Sequence, residues 1–546
     1  MDNSPSVGIV RSAGLMSAAV MLSRVAGLVR ETIIAQTFGA SAATDAFNLA
    51  YRLPNLTRDL FAEGALSSAF VPTFTERMAT KGKEDAARLV NLVGTAVILF
   101  VGILCVMGVL LAPWLVGLFG SGFRQVPGKF EMAVHLTRVM FPFLLLVALA
   151  AQTMGVLNSC GQFGVPALAS FFFNVGSVAS GLLIAFVIGP RIGMEPIEGM
   201  AWGVVIGGAV QFLWQVPSLY KQGFRFRLEW DWRDPGLRHI VAMMGPAILG
   251  GAAVQINVLV NSHFASFIQD PVRGANGPVT WLGCAFRFMQ LPLGLFGVAV
   301  AAATLPSITR SLASGNHDEF RRTLSKSLGV VFLMTLPSSI GLVVLAREMI
   351  AATYQGGAFT SYDTQQTALA LVCYTVGLAG YAASKVLNPA FYALKDSRTP
   401  MVVSLTSIAV NFAAASLLLN YTRLGHAGLA LTTSTVALTS SLIQFWILRN
   451  RIGGVYGWEL ASTVARVALA ALGMGAVVSA VSIGMEAWLG SGKMAAVASL
   501  AACVPVGALV FFGVCRLLRV EEVELAASGI PGPFRRVLGL SHARIP

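Results

Sequence analysis

The sequence predicts an all-α polytopic membrane protein of about 14 transmembrane helices, arranged as two six-helix lobes followed by two further helices. Three observations carry that prediction. Hydrophobic residues make up 55% of the 546 positions and charged residues only 12%, whereas about a quarter of a soluble domain is charged. Runs of about 20 apolar residues recur along nearly the whole chain, each long enough to cross roughly 30 Å of hydrocarbon with its backbone satisfied internally. The runs are continuous rather than alternating, which excludes a transmembrane barrel.

The spans fall near 8–34, 42–74, 88–119, 132–157, 165–189, 196–220, 238–268, 279–308, 322–346, 364–390, 400–420, 426–449, 461–488 and 494–517. The first carries Arg11, Arg24 and Arg30 and lacks a small-residue cleavage site, so it reads as an uncleaved helix. An even count puts both termini on one side. Loops on that side, with the tail, hold Arg77, Lys81, Lys83 and Arg88, then Lys221, Arg225, Arg227, Arg233 and Arg238, and further clusters to Arg544. The opposite loops hold Arg124, Lys129, Arg191, Arg273, Arg347, Arg423 and Lys493. This bias of roughly 23 to 7 assigns both termini to the cytoplasm and accounts for most of the net charge of +13 without nucleic acid.

An internal repeat supports two lobes of one orientation. Ala69-Phe70-Val71-Pro72-Thr73-Phe74-Thr75 ends the second span and Ala303-Thr304-Leu305-Pro306-Ser307-Ile308-Thr309 ends the eighth, their prolines 234 residues apart. Pro166 and Pro400, each opening a span, share that offset. The expected domains are therefore 1–230, 231–455, the extra helices in 456–520 and a cytoplasmic tail, 521–546. Parallel repeats of this kind usually hold a transported substrate at mid-membrane.

Several ionisable residues lie inside apolar spans: Arg24 and Arg30 in the first, Asp45, Arg52, Arg58 and Glu63 in the second, and Arg287 in the eighth. A charge at mid-bilayer costs about 2.5–3.5 kcal/mol on insertion scales. Such a set belongs in a shared wet cavity, where its cationic excess suits an anion. Arginine binds phosphate through paired, charge-assisted hydrogen bonds and stays protonated when partly dehydrated, so a lipid pyrophosphate fits better than a lone carboxylate. The competing reading is that the charges pair to hold helices together, or that Arg24 and Arg58 snorkel to an interface. Asp45 either orients the arginines or titrates. Pro54 and Gly64 bend the second span.

Gly245-Pro246, Pro292 with Gly294 and Gly297, and Pro337 permit bending. The six histidines and six cysteines are scattered without ligand spacing, so neither a metal nor a cofactor is expected.

Ser23-Arg24-Val25-Ala26-Gly27-Leu28-Val29-Arg30, Phe38-Gly39-Ala40, Thr44-Asp45-Ala46-Phe47, Leu53-Pro54-Asn55-Leu56 and Phe61-Ala62-Glu63-Gly64-Ala65 resemble the N-terminal signature of the MurJ (MviN) lipid II flippases. Gly245 to Gly250, Pro292 to Val298, Ser314 to Glu319 and Phe391-Tyr392 to Pro400 continue the likeness over nearly the whole chain. The resemblance implies the multidrug/oligosaccharidyl-lipid/polysaccharide exporter fold: two lobes around a cationic cavity, with the last two helices forming a groove for a polyprenyl tail. It implies a non-enzymatic transporter of the bacterial inner membrane whose partners are lipid II and membrane lipids, with divisome or elongasome proteins as candidate partners. It carries substrate-binding roles onto Arg24, Arg30, Asp45, Arg58 and Arg287. Arg52 joins them on position alone, and Ser23, Glu63, Thr280 and Gln290 are secondary candidates. Two departures stand out: Gln290 replaces a frequent carboxylate, making the cavity more positive, and Thr280 takes the place of a small hydroxyl before Trp281. Spans seven, eleven and twelve hold no Asp or Glu, so no carboxylate-based sodium site is expected there.

The expected mechanism is alternating access, with arginines holding the pyrophosphate while the tail stays in lipid. The rival readings are a flippase or exporter of another polyprenyl-linked oligosaccharide or of a drug, an enzyme acting on polyprenyl phosphates, and a scaffold. Short loops without carboxylate or histidine clusters argue against the enzyme.

Overall fold

The computed structural model describes residues 5–60 and 66–523, without the side chains of 5–17, 67, 68, 246, 247 and 249–254. Glu63, its Phe61 to Ala65 motif and the tail beyond 523 lie outside the described residues. Among the described residues regular structure is helical, with two isolated β-bridges and no strand. Two compact units form, Met1–Val279 and Thr280–Pro546.

The first unit contains α1 (Pro5–Phe38), α2 (Ala42–Arg58), α3 (Ser67–Thr80), α4 (Gly82–Leu110), α5 (Ala112–Phe119), α6 (Lys129–Met140), α7 (Phe143–Ser159), α8 (Gly164–Leu183), α9 (Pro196–Lys221) and α10 (Pro235–Phe267). Its core gathers Phe70 and Phe74 of α3, Leu89 and Val93 of α4, Leu144 and Ala148 of α7, and Leu237 and Ile240 of α10. Helix α10, which the repeat counts into the second lobe, packs in this unit against α3 and α5. Helices α8 and α9 approach through glycine: a Cβ on Gly203 would stand 2.5 Å from the Ser177 carbonyl oxygen and 2.7 Å from Gly181 Cα.

The second unit contains α11 (Pro278–Pro292, its first two residues in unit one), α12 (Val298–Ala313), α13 (His317–Val344), α14 (Ala346–Tyr354), α15 (Ser361–Thr375), α16 (Leu378–Ala393), α17 (Arg398–Tyr421), α18 (Gly425–Arg451), α19 (Gly457–Leu489) and α20 (Lys493–Leu517). One core joins Phe320, Leu324 and Leu328 of α13 to Leu387 and Phe391 of α16. Another seats Val467, Met474 and Val478 of α19 and Cys503 and Phe511 of α20 against Leu333 and Leu345.

Ten helical segments among the described residues are long and apolar enough to cross a membrane, or eleven with the bent pair Ser361–Thr375 and Leu378–Ala393. The other three expected spans coincide with α1, α2 with α3, and α10. Several spans that hydropathy reads as single helices are broken. The span at 88–119 divides into α4 and α5 at Leu111, where Pro113 opens the new helix, and that at 132–157 divides at Pro142, which caps α7. The span at 364–390 bends by 44° near Gly377, where a Cβ would meet Ser434 Cα at 2.5 Å. Proline removes a backbone donor and glycine lets another backbone approach, so each break sits where the ladder is weakest.

The repeat extends to element boundaries. Helices α5 and α14 start at Ala112 and Ala346, and α8 and α17 at Gly164 and Arg398, again 234 residues apart.

Candidate functional site

Helix α2 is the polar element of the first unit. Ser41 caps it, its hydroxyl accepting from Thr44 N at 3.3 Å. Asp45 follows in the first turn, where the helix dipole favours an anion. Its carboxylate is fully buried and accepts from Lys129 Nζ at 2.9 Å and from Gly277 N at 2.8 Å. Gly277 has φ +107°, a backbone suited to glycine.

Lys129 is itself fully buried as the first residue of α6. A cation at a helix N-terminus is disfavoured by the dipole, and the surroundings offset that cost. All three ammonium donors are used, on Asp45 Oδ2, on the Ala275 carbonyl at 2.7 Å and on Asn276 Oδ1 at 3.1 Å, while the Phe123 ring lies 4.4 Å away.

Two further ties join α2 to α10 in antiparallel register. Arg52 Nη1 donates to Ser262 Oγ at 2.5 Å, and one heptad along each helix Gln255 Nε2 donates to Asp59 Oδ2 at 3.2 Å. Arg58 donates to Asp59 Oδ1 from Nε at 3.2 Å and from Nη2 at 2.8 Å. Both members of that pair remain partly exposed.

The remaining candidates are differently placed. Arg30 is buried, its guanidinium 5.4 Å from the Tyr51 ring and 5.3 Å from Phe173, with Glu31 at 3.7 Å. Arg24 is exposed, and half-buried Ser23 offers its carbonyl to Asn174 Nδ2 at 3.4 Å. In the second unit Arg287 and Gln290 are exposed one turn apart on α11, while Thr280 is buried. Beside Thr280, Trp281 Nε1 donates to the buried Asp363 at 3.1 Å.

Sequence reasoning missed Lys129 as a partner for Asp45 and missed the polar residues of α10. The lysine follows Pro127-Gly128 at the head of an apolar run, so it reads as a flank. Gln255 and Ser262 are the signal on α10, a heptad pair of polar residues in an apolar helix. Among the described residues no group of three or more His, Cys, Asp or Glu could hold a metal ion, and all six cysteines are free.

Among the described residues, long apolar helices that carry arginines within them define a polytopic membrane transporter. The family described as "Lipid II flippase MurJ" matches residues 34–497, and the chain belongs to that family. It is 33% identical over 530 residues to the "Probable lipid II flippase MurJ" of Vibrio cholerae serotype O1, covering 95% of this chain and 98% of that one. It is 34% identical over 520 residues to the "Lipid II flippase MurJ" of Burkholderia cenocepacia, covering 93% and 97%. A solved structure, "Lipid II flippase MurJ, inward closed conformation", superposes with a TM-score of 0.73 at 25% identity over 93% of this chain and 99% of that one. The chain is a multi-pass protein of the bacterial inner membrane.

Proposed function

We propose that the chain moves lipid II, the undecaprenyl-pyrophosphate-linked peptidoglycan precursor, from the inner to the outer leaflet by alternating access. The observation that carries this reading is Arg58, a partly exposed guanidinium on the polar helix of a MurJ-family chain, held in place by Asp59 beside it. A fork of this kind accepts a phosphate in bidentate fashion while its charge remains fixed. Arg24 and Arg52 of the first unit are assigned to the same ligand, and Arg287 is proposed as a lipid II-binding residue of the second unit. Arg30, boxed by two rings, is assigned to holding α1 against α2 and α8 at the site. Asp45 acts through Lys129 and sets the start of α2.

The termini face the cytoplasm, as the charge asymmetry supports, and the segment 456–520 takes the polyprenyl tail. The protein acts as a transporter without bond chemistry of its own, and association with divisome or elongasome proteins belongs to the same proposal.

Complementation of a flippase-depleted strain by Arg24→Ala, Arg58→Ala and Arg287→Ala tests the reading, with membrane insertion checked by immunoblot and lipid II retention by native mass spectrometry against other polyprenyl lipids. Loss of rescue with insertion intact is expected. Full rescue by all three, or equal retention of every polyprenyl lipid, overturns it.

A further inference from the structure

Between α9 and α10 the chain forms a strap, residues 222–234, with no helix of its own. Its side chains alternate. Two odd positions turn carboxylates to α4: Glu229 accepts from Asn91 Nδ2 at 2.9 Å and Asp231 from Arg88 Nη2 at 2.9 Å. The backbone is fastened to the same face, Arg227 N donating to Asn91 Oδ1 and Glu229 N to Thr95 Oγ1. At its end Asp234 grips Arg77 at 2.7 Å. At even positions Phe224 is buried in the core, whereas Phe226, Leu228, Trp230 and Trp232 are 43%, 63%, 61% and 50% exposed.

Depth distinguishes this strap from an ordinary loop. Thr95 lies thirteen residues into α4, about 20 Å along its axis. The helix is apolar from Leu89 onward apart from Asn91 and Thr95, the two residues that hold the strap. A Cβ on Gly94 would stand 2.9 Å from the Phe226 ring. The stretch from Phe226 to Trp230 thus runs beside α4 where that helix has already become hydrocarbon-like, and Trp232 follows at its edge, its ring 6.4 Å from that of Trp230. The strap's acids are taken up by Arg77, Arg88 and Asn91. What stays exposed is cationic: Arg225, Arg227, Arg233 and Arg238.

We propose that this strap is an interfacial anchor: Phe226, Leu228, Trp230 and Trp232 enter the headgroup–acyl boundary of the cytoplasmic leaflet, and the four arginines bind phosphates of anionic phospholipids. Tryptophan favours that boundary because its ring is apolar with one polar edge. Lysine and arginine beside it are drawn to the negative surface potential of the leaflet. The fastened backbone pre-orders the segment, so little entropy is lost when lipid covers it.

The full-length protein, reconstituted in vesicles, tests this through tryptophan fluorescence. The chain has nine tryptophans, so the signal of Trp230 and Trp232 is taken as the difference between wild type and Trp230→Phe/Trp232→Phe. That difference should be quenched by lipids brominated in the upper acyl chain and little by aqueous iodide. Brominated phosphatidylglycerol should quench it about twofold more than brominated phosphatidylcholine at equal content. The preference should vanish in the exposed-surface variant Arg225→Gln/Arg227→Gln/Arg233→Gln/Arg238→Gln. Quenching by iodide but not by brominated lipid, which places the rings in a wet chamber, overturns the proposal. Equal quenching by the two lipids overturns it as well.

Discussion

Asp45 and Lys129 meet at 2.9 Å with neither side chain exposed, and the same lysine holds the Ala275 carbonyl, so one buried ammonium ties the starts of α2 and α6 to the chain that leads into α11. The two residues act as a single structural joint.

Removing one partner of a buried pair strands the other charge, at about 3–5 kcal/mol. Asp45→Asn and Lys129→Met should each destabilise the purified protein on that scale, while the double variant loses much less than the sum. A thermal or chemical denaturation double-mutant cycle measures the coupling, and a value near zero would mean that the joint is not one unit.

Asp59 competes with any anion for Arg58. Asp59→Asn should tighten lipid II binding by about two- to fivefold, the range of a part-exposed ion pair. Titration in detergent or nanodiscs reads the change. Weaker binding would show instead that the carboxylate orients the guanidinium.

Helix contacts without side chains leave no room for growth. Gly203→Ala drives a methyl into the Ser177 carbonyl and Gly181, and overpacking of this kind costs about 1–3 kcal/mol. Gly473→Ala on α19 meets nothing within 4 Å and should be neutral or stabilising by up to about 1 kcal/mol. Melting temperatures of the two variants, compared side by side, should therefore move in different directions.

Asp234 sets an acid limit on the strap. Burial pushes its carboxyl up, but hydrogen bonds from Arg77, Leu237 N and Gly236 N and the charge of Arg77 outweigh burial and hold it below the ordinary range. A depressed folded value means that the folded form resists protonation. Its contribution is therefore complete above the ordinary value of about 3.9 and disappears as pH falls through the folded value. The stability gap between wild type and Asp234→Asn should be constant from neutral to mildly acid pH and close only below about pH 4. A gap that narrows already near neutrality would contradict the assignment.

The helical class was legible because long apolar runs leave no other way to satisfy a backbone in lipid. The 234-residue echo was legible because Pro72 and Pro306, and Pro166 and Pro400, sit in matching helices. The breaks at Leu111 and Gly377 were not, since the hydropathy on either side is unchanged. At the site, Arg52 and Arg58 were visible as charges in an apolar run. The Arg52 partner Ser262 was not distinguished, because an isolated serine gives no sign of which helix it will face. The burial of Lys129 was not legible, because position at a span edge says nothing about burial.

The offset also aligns Lys129 with Asp363, and each ties a later helix of its unit to an earlier one, α6 to α2 at Asp45 by charge and α15 to α11 at Trp281 by a neutral donor. A sealed lysine–aspartate couple carries zero net charge. A transmembrane voltage, worth about 2.3 kcal/mol per charge per 100 mV, does no net work on it when it is displaced as a whole. The joint that sets α2 in place is therefore electrically silent, and any electrical sensitivity of the first unit resides in its other charged groups.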